Sequence, residues 1–146
     1  MVDTINHGGD IARAAKILEC LVVTPEATAL QRPAQFVVLP LEDGEIGIAP
    51  GRSPLIGRLG YGEMRITEGG RTDHYYVDGG FVQVAGNVVS VLTGRAVPVS
   101  ELDASAAAER LKESASQQAH SLEAAAVRDR AAAQARAQLR LAARNK

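Results

Sequence analysis

The chain has 146 residues, 46% of them hydrophobic, and a formal net charge of −1, which allows one ordinary domain or two small ones with a modest core. Near-neutral charge with only 3% aromatic residues excludes a general nucleic-acid binder, which needs concentrated basic charge and rings to stack on bases. The single cysteine, Cys20, can form neither an internal disulfide nor a Cys-based zinc site, and its presence alone suits a reducing, cytoplasmic setting.

The opening stretch "MVDTINHGGDIARAAK" has no apolar h-region and carries Asp3 and Asp10, unlike a secretory or transit peptide. Residues 1–15 are therefore expected as a flexible extension. Short runs rich in Val, Ile and Tyr follow: "KILECLVVT", "AQFVVLP", "EMRIT", "HYYV", "GFVQVAG" and "NVVSVLT". With no helical pattern between them, they predict an antiparallel β-sandwich over residues 16–97. Gly69-Gly70 and Gly86-Asn87 are the expected hairpin turns. In "GFVQV" the alternation sets Val82 and Val84 against Phe81 and Gln83, so that the two faces of one strand meet different surroundings. Cys20, within "ILECLVV", reads as a buried, unreactive thiol.

"EDGEIGIAPGRSPL", Glu42 to Leu55, reads as a glycine-rich loop. Its glycines lack the spacing of a phosphate-cradling loop, no lysine follows them, and Glu42, Asp43 and Glu45 repel an anion. Turns in a β-rich domain are the reading that remains.

All 14 glycines lie at or before Gly94, and the last of six prolines is Pro98. From Glu101 to Lys146 the chain has 16 alanines and neither Gly nor Pro, which is helical composition. Residues 98–146 are expected as a two-helix hairpin, giving an α+β chain with the sandwich first. Ser100, three residues before Asp103, resembles a capping box. The first helix is expected to end near Ser114, in "SASQQAHS", whose hydroxyls can cap the second. Val127, Ala131, Ala135, Leu139 and Ala143 then recur at four-residue steps as a narrow apolar stripe. Alanine buries little area, so such a pair grips its neighbour weakly.

No catalytic constellation emerges. His7, His74 and His120 lack metal-ligand spacing, and Asp73, His74, Asp78 and Ser90 sit in no nucleophile motif. "GEMRI" faintly resembles a biotin or lipoyl carrier turn, but Arg65 stands where the acylated lysine belongs, and a guanidinium is not an amine nucleophile. No metal, cofactor or catalytic residue is assigned.

Taken in order, "LVVTPEATAL", "LPLEDGEIGIAPGRSPLI", "GEMRI", "DGGFVQVAGNVVSVL" and the Ala-rich tail resemble the epsilon subunit of bacterial F-type ATP synthases, to which the chloroplast epsilon and mitochondrial delta subunits are similar. The resemblance implies a sandwich that binds the gamma subunit and touches the c-ring at the foot of the central stalk, peripheral to the membrane on its cytoplasmic face. It implies that Glu45 and Arg52 face the c-ring, with Arg52 departing from the family's usual histidine. In many members the helices, when extended, reach the alpha and beta subunits and block ATP hydrolysis. Arg128, Arg130, Arg136, Arg140 and Arg144 are then the expected grip, or else an ordinary solvated face. The family's ATP-binding pattern is matched by Leu102, Asp103 and Ala107, but Ala106 replaces its arginine, so ATP sensing is not expected. Removing everything after Thr93 is expected to leave a folded sandwich. Two alternatives stand beside this reading: an assembly and coupling subunit whose helices never inhibit, and a free-standing ligand-binding sandwich.

Overall fold

The computed structural model describes residues 17–144, so the extension expected at residues 1–15 and His7 within it lie outside the described residues. Eight strands are present: β1 Leu18–Val23, β2 Thr28–Ala34, β3 Phe36–Leu41, β4 Gly44–Ile48, β5 Leu55–Glu68, β6 Arg71–Ala85, β7 Val88–Leu92 and β8 Ala96–Pro98. One 3-10 turn, Val99–Glu101, leads to helices α1, Ala104–Ser116, and α2, Leu122–Arg144. The strands pair in the order β2-β1-β7-β6-β5-β3-β4, with β8 beside the first half of β6, on the edge that β7 takes along its second half.

Two long strands make the sandwich. β5 has 14 residues and β6 has 15, and their ladder lapses at the middle, between the pairs Leu59↔Gly80 and Tyr61↔Asp78. Glycine is required there. Gly79 and Gly80 have φ of +73° and +109°, and a Cβ on Gly80 would lie 1.9 Å from the carbonyl oxygen of Leu92. Only a residue without a side chain fits both the backbone and the space. The sheet folds over at this point, so β1, β7 and the later half of β6 form one layer, while β3, β4, β8 and the later half of β5 form the other. Leu18, Val22, Val89 and Val91 from the first layer close on Val37, Leu39, Ile48, Met64 and Ile66 from the second, all 0% exposed.

Both predicted hairpins are present. Gly69 and Gly70 have φ of +61° and +78°, and Gly86 and Asn87 have +57° and +62°, the double positive φ of a two-residue turn whose twist matches the strands. Val82 and Val84 are buried and Phe81 is 51% exposed, as the alternation predicts.

The sequence reading differs from the structure in several places. β1 and β7 pair in parallel, so the sandwich is antiparallel in every pair but one. β2, β4 and β8 fall where no strand was expected: β2 carries Pro33 and is an edge strand, β8 is three residues long, and β4 occupies the first half of the supposed loop at Glu42–Leu55. Edge strands need little apolar content, which is why these were missed. β8 also moves the safe end of the sandwich. It pairs with β6 at Val77↔Ala96, Ala96 packs on the core, and Arg95 O accepts from Asp78 N at 3.1 Å. A cut after Thr93 would strip this strand away, so it must fall after Glu101.

In the helical part, Asp103 rather than Ser100 is the N-cap of α1, its Oδ1 accepting from Ala106 N at 3.1 Å. Ser100 is spent in the 3-10 turn. α1 runs to Ser116, where the hydroxyls of Ser114 and Ser116 bond back to carbonyls of their own helix. Ser121 Oγ caps α2 by accepting from Ala124 N at 3.0 Å, as the hydroxyl-rich connection implied. The four-residue stripe does not describe the buried face. Val127 is 61% exposed and Ala143 is exposed, whereas Ala132, Ala135, Ala137, Gln138, Leu141 and Ala142 are buried. A four-residue step drifts around a helix of 3.6 residues per turn. α2 is moreover covered on two sides, by the sheet and by α1.

Candidate partner-binding surfaces

The first layer turns one face to the core and the other to solvent, and the outward face is apolar. Register places Arg58 of β5 beside Phe81 of β6, Phe81 beside Leu92 of β7, and Leu92 beside Val23 of β1. The next row is Ile56, Gln83, Ser90 and Leu21. Ile56 is 77% exposed, and Phe81 and Leu92 about half. The Arg58 guanidinium lies 5.5 Å from the centre of the Phe81 ring, a cation–π contact that leaves the ring edge free. A contiguous exposed apolar row marks an interaction surface rather than chance exposure. Sequence reasoning noted only Phe81. The available signal was β7, "VVSVL", apolar on both faces in a domain with a core on only one.

One end of the sandwich gathers the connection between β4 and β5, residues 49–54, with the turns at Gly69-Gly70 and Gly86-Asn87. Gly51 N donates to Asn87 Oδ1 at 2.7 Å, which ties the connection to one turn, and Gly69 N donates to Gln35 Oε1 at 3.0 Å, which ties the other turn to the junction of β2 and β3. Arg52 is exposed here. Glu45 is not beside it. Glu45 lies on β4 opposite Pro40, on the outward face of the second layer, where Arg65 Nη1 donates to it at 3.2 Å.

Arg65 also donates to Glu63 at 2.9 Å, and His74 Nδ1 lies 3.1 Å from the other oxygen of Glu63. Burial pushes the Glu63 carboxyl up, but the Arg65 and His74 contacts and the nearby charge of Arg144 outweigh it, leaving it below the usual carboxylate value. Arg65 is thus a mid-strand ion-pair hub and not the tip of a carrier turn. Among the described residues no group of His, Cys, Asp and Glu has a metal-holding arrangement.

Over this layer lies α2. Ala137 and Leu141 pack on Tyr76, Val99, Tyr61 and Leu102. Beside them, Arg58, Tyr61, Asp78, Phe81, Arg130 and Gln134 line an open cavity of about 810 Å³. The five arginines of α2 do not form one stripe. Arg128 turns to the end of α1, its Nη1 3.5 Å from Gln117 O. Arg130 and Arg144 flank the sheet contact, in the cavity and beside Glu63. Arg136 and Arg140, one turn apart, point to solvent. Of the residues matching the family's ATP pattern, Asp103 caps α1, Leu102 packs beside Tyr76, and Ala107 is buried.

A folded-over sheet with a bare apolar face on one side and a helical pair on the other is the frame of a docking module. Residues 17–99 match the family model described as the β-sandwich domain of the ATP synthase delta/epsilon chain. The ATP synthase epsilon chain of Rhodopirellula baltica is 50% identical over 123 residues, 84% of this chain and 96% of that one. The chain therefore belongs to the ATP synthase delta/epsilon family, as an epsilon subunit of the F-type enzyme. A chain from the cryo-EM structure of the Euglena gracilis mitochondrial ATP synthase, an OSCP/F1/c-ring assembly, is similar with a TM-score of 0.71 at 26% identity, over 80% of this chain and 75% of that one. A chain of the Tetrahymena thermophila mitochondrial ATP synthase central stalk and c-ring has a TM-score of 0.66 at 13% identity, covering 86% and 96% respectively, a likeness of fold alone.

Proposed function

We propose that this chain is a non-catalytic subunit of the central stalk, that the outward face of β1, β7, β6 and β5 seats on the gamma subunit, and that the loop end bearing Arg52 meets the c-ring. The observation that carries the reading is the exposed apolar patch of Phe81 and Leu92, with Ile56 in the adjoining row, which needs a partner surface of matching apolar character. Its aromatic anchor with a stacked arginine is the kind of residue pair that dominates binding energy. The chain then turns with gamma at the cytoplasmic face of a bacterial membrane.

Glu45 joins the c-ring contact only if the partner also reaches the second layer, because its carboxylate is already engaged by Arg65. Exchanging charge at both positions, Glu45→Lys with Arg52→Glu, reduces proton pumping in reconstituted membranes while the subunit stays bound. Unchanged pumping removes this contact.

The helices inhibit ATP hydrolysis by leaving the sandwich and reaching the alpha and beta subunits. Support comes from the solvent-facing Arg136 and Arg140 and from Leu122 and Val127 at 90% and 61% exposure, which give α2 a surface unused in the docked state.

The primary test is Phe81→Glu with Ile56→Glu. Both side chains point away from the core, so the sandwich keeps its strand signature in circular dichroism, while the variant no longer co-purifies with gamma and c-ring from native membranes. Undiminished recovery of the complex would contradict the assignment of this face.

A further inference from the structure

Two sets of polar side chains lie where the helical pair meets the sandwich, and one of them crosses between the two. Arg110 of α1 donates to Oε1 of the buried Gln138 on α2. Tyr76 Oη donates to Asp78 Oδ1 at 2.6 Å, and Asp78 Oδ2 accepts from Gln134 Nε2 of α2 at 3.1 Å. Tyr76 is wholly buried and Gln138 is 5% exposed. Burial, then the bond to Asp78, holds the Tyr76 hydroxyl protonated well above the usual phenol value, so it remains a donor across the working pH range.

Asp78 itself belongs to the sandwich. Its backbone N–H is held by Thr93 Oγ1 at 3.0 Å and by Arg95 O at 3.1 Å, beside the glycines at which the sheet folds over. The apolar part of the same contact is modest: Ala137 and Leu141 of α2 are buried against Tyr76 and Val99, with Tyr61 and Leu102 packed at the edge. The directional element of the contact is therefore the bond between Asp78 and Gln134.

We propose that Asp78 is the catch that docks the helical pair: α2 is seated while the carboxylate accepts from both Tyr76 and Gln134, and loss of the Gln134 bond frees α2 together with α1. This rests on the reading of the helical pair as the moving part of the subunit. The physical case lies in an asymmetry of hydrogen bonding. When the pair leaves as a unit, Asp78 and Gln134 exchange each other for water, while the Arg110 bond to Gln138 departs intact within the pair; the net bond given up is worth only about 1 kcal/mol. When α2 is seated out of register, the half-buried Asp78 and Gln134 stay against the opposite surface without each other, at up to ~1 to 3 kcal/mol each. A contact of this kind opens readily but does not slide. Intermediate positions are the unfavourable ones, so the pair behaves as a two-position element. An apolar interface of equal strength would tolerate slipping, because it has no direction to lose.

Hydrogen exchange on the full chain tests this directly. In Gln134→Ala and in Asp78→Ala, amides between Ala132 and Leu141 are expected to exchange on the order of tenfold faster, the change that ~1.4 kcal/mol produces. The double variant is expected to be no faster than the faster single one, because the two residues share one interaction. Amides of β1 and β7 stay at the parent rate. Gln134→Glu sets a second carboxylate against Asp78 in place of a donor, so it opens the pair at neutral pH.

Exchange in α2 within twofold of the parent overturns the proposal, as does equal acceleration of β1 and β7, which would mean general destabilisation. Should Asp78→Ala fail to fold because Tyr76 is orphaned, Gln134→Ala and Gln134→Glu, on the half-buried side of a helix, carry the test. Faster exchange in α2 with unchanged hydrolysis by rebuilt complexes keeps the catch and removes the inhibitory role. Unchanged exchange removes the catch whatever the complexes do.

Discussion

The sandwich and the helical pair are held by different physics. In the sandwich, branched and long aliphatic side chains from two layers interlock: Leu18, Val22, Leu39, Ile48, Met64 and Ile66 are all 0% exposed. In the helical pair most buried positions are alanine, with Leu141 the one large aliphatic side chain, and Gln138 and Ser114 are buried beside them. At about 25 cal/mol per Å² of apolar area, an alanine face contributes a fraction of what a leucine face does. The lesson is one of hierarchy: the first region can fold around its own core, while the second is a lightly held attachment whose position is set by hydrogen bonds. Such lightly held elements are where local opening concentrates.

The sharpest way to break that contrast is at the fold-over. Gly80→Ala places a Cβ against the Leu92 carbonyl at a backbone φ that other residues avoid, and should cost on the order of 3 kcal/mol or more. Sandwich and helices should then be lost together in a denaturant titration, because the helical pair has no platform without the sheet.

Next come paired truncations of similar chemistry. Leu39→Ala should lower global stability by ~2 to 5 kcal/mol. Leu141→Ala should cost ~2 to 3 kcal/mol, yet only of helix docking. Limited proteolysis should accordingly cut the Leu141 variant between α1 and α2 while the midpoint of sandwich unfolding stays near that of the parent. Equal loss in both assays would show one cooperative unit instead of two.

Smaller effects come from titration. The Asp73 carboxyl is lowered by its bond from Arg32 and by Arg71, and Glu63, despite its burial, by Arg65 and His74. Both are lower in the folded than in the unfolded chain, so their stabilising contribution is complete above about pH 4.5 and fades as pH falls through the folded values. Unfolding midpoints should be flat between about pH 5 and pH 7 and should fall as pH drops below about 4.5. Glu63→Gln should fall less steeply.

The smallest effect is at Cys20, whose thiol is pushed up to about 11 from 9.0 by burial. Here the sign is opposite: the folded chain holds the proton more tightly, so this contribution is complete below pH 9.0 and is lost as pH rises towards 11. At pH 8, about one unit below the thiol's ordinary value, the native chain should resist iodoacetamide. The chain in denaturant should react readily.

What the sequence revealed follows the same hierarchy. Strands with strong alternation or dense aliphatic content, such as β1, β3 and β7, were legible, and so were the Gly-Gly and Gly-Asn turns and the helical tail. Edge strands were not, because β2 with Arg32 and Pro33 and β4 with Gly44, Glu45 and Gly47 satisfy backbone pairing without an apolar signature. Continuity was lost at Gly60 and Gly79-Gly80, where single strands bend and read as separate short ones. Of the functional surfaces, the outward row through Phe81 was half visible. Glu45 and Arg52 are near in sequence but separated by β4. The role of Asp78 was invisible, since its partners come from β6, the connection between β7 and β8, and a helix residue 56 positions further on.

The division of labour is tested most directly by rebuilding the ATP synthase with the full chain and with a chain ending at Glu101, and measuring ATP hydrolysis over a range of ATP and ADP concentrations. The sandwich core and β8 are complete in the shorter chain. It should therefore bind the stalk as the full chain does, with hydrolysis raised several-fold, the response to a shift of ~1 kcal/mol in a two-state population. Equal hydrolysis rates with both chains bound, or loss of binding by the shorter one, would contradict the account.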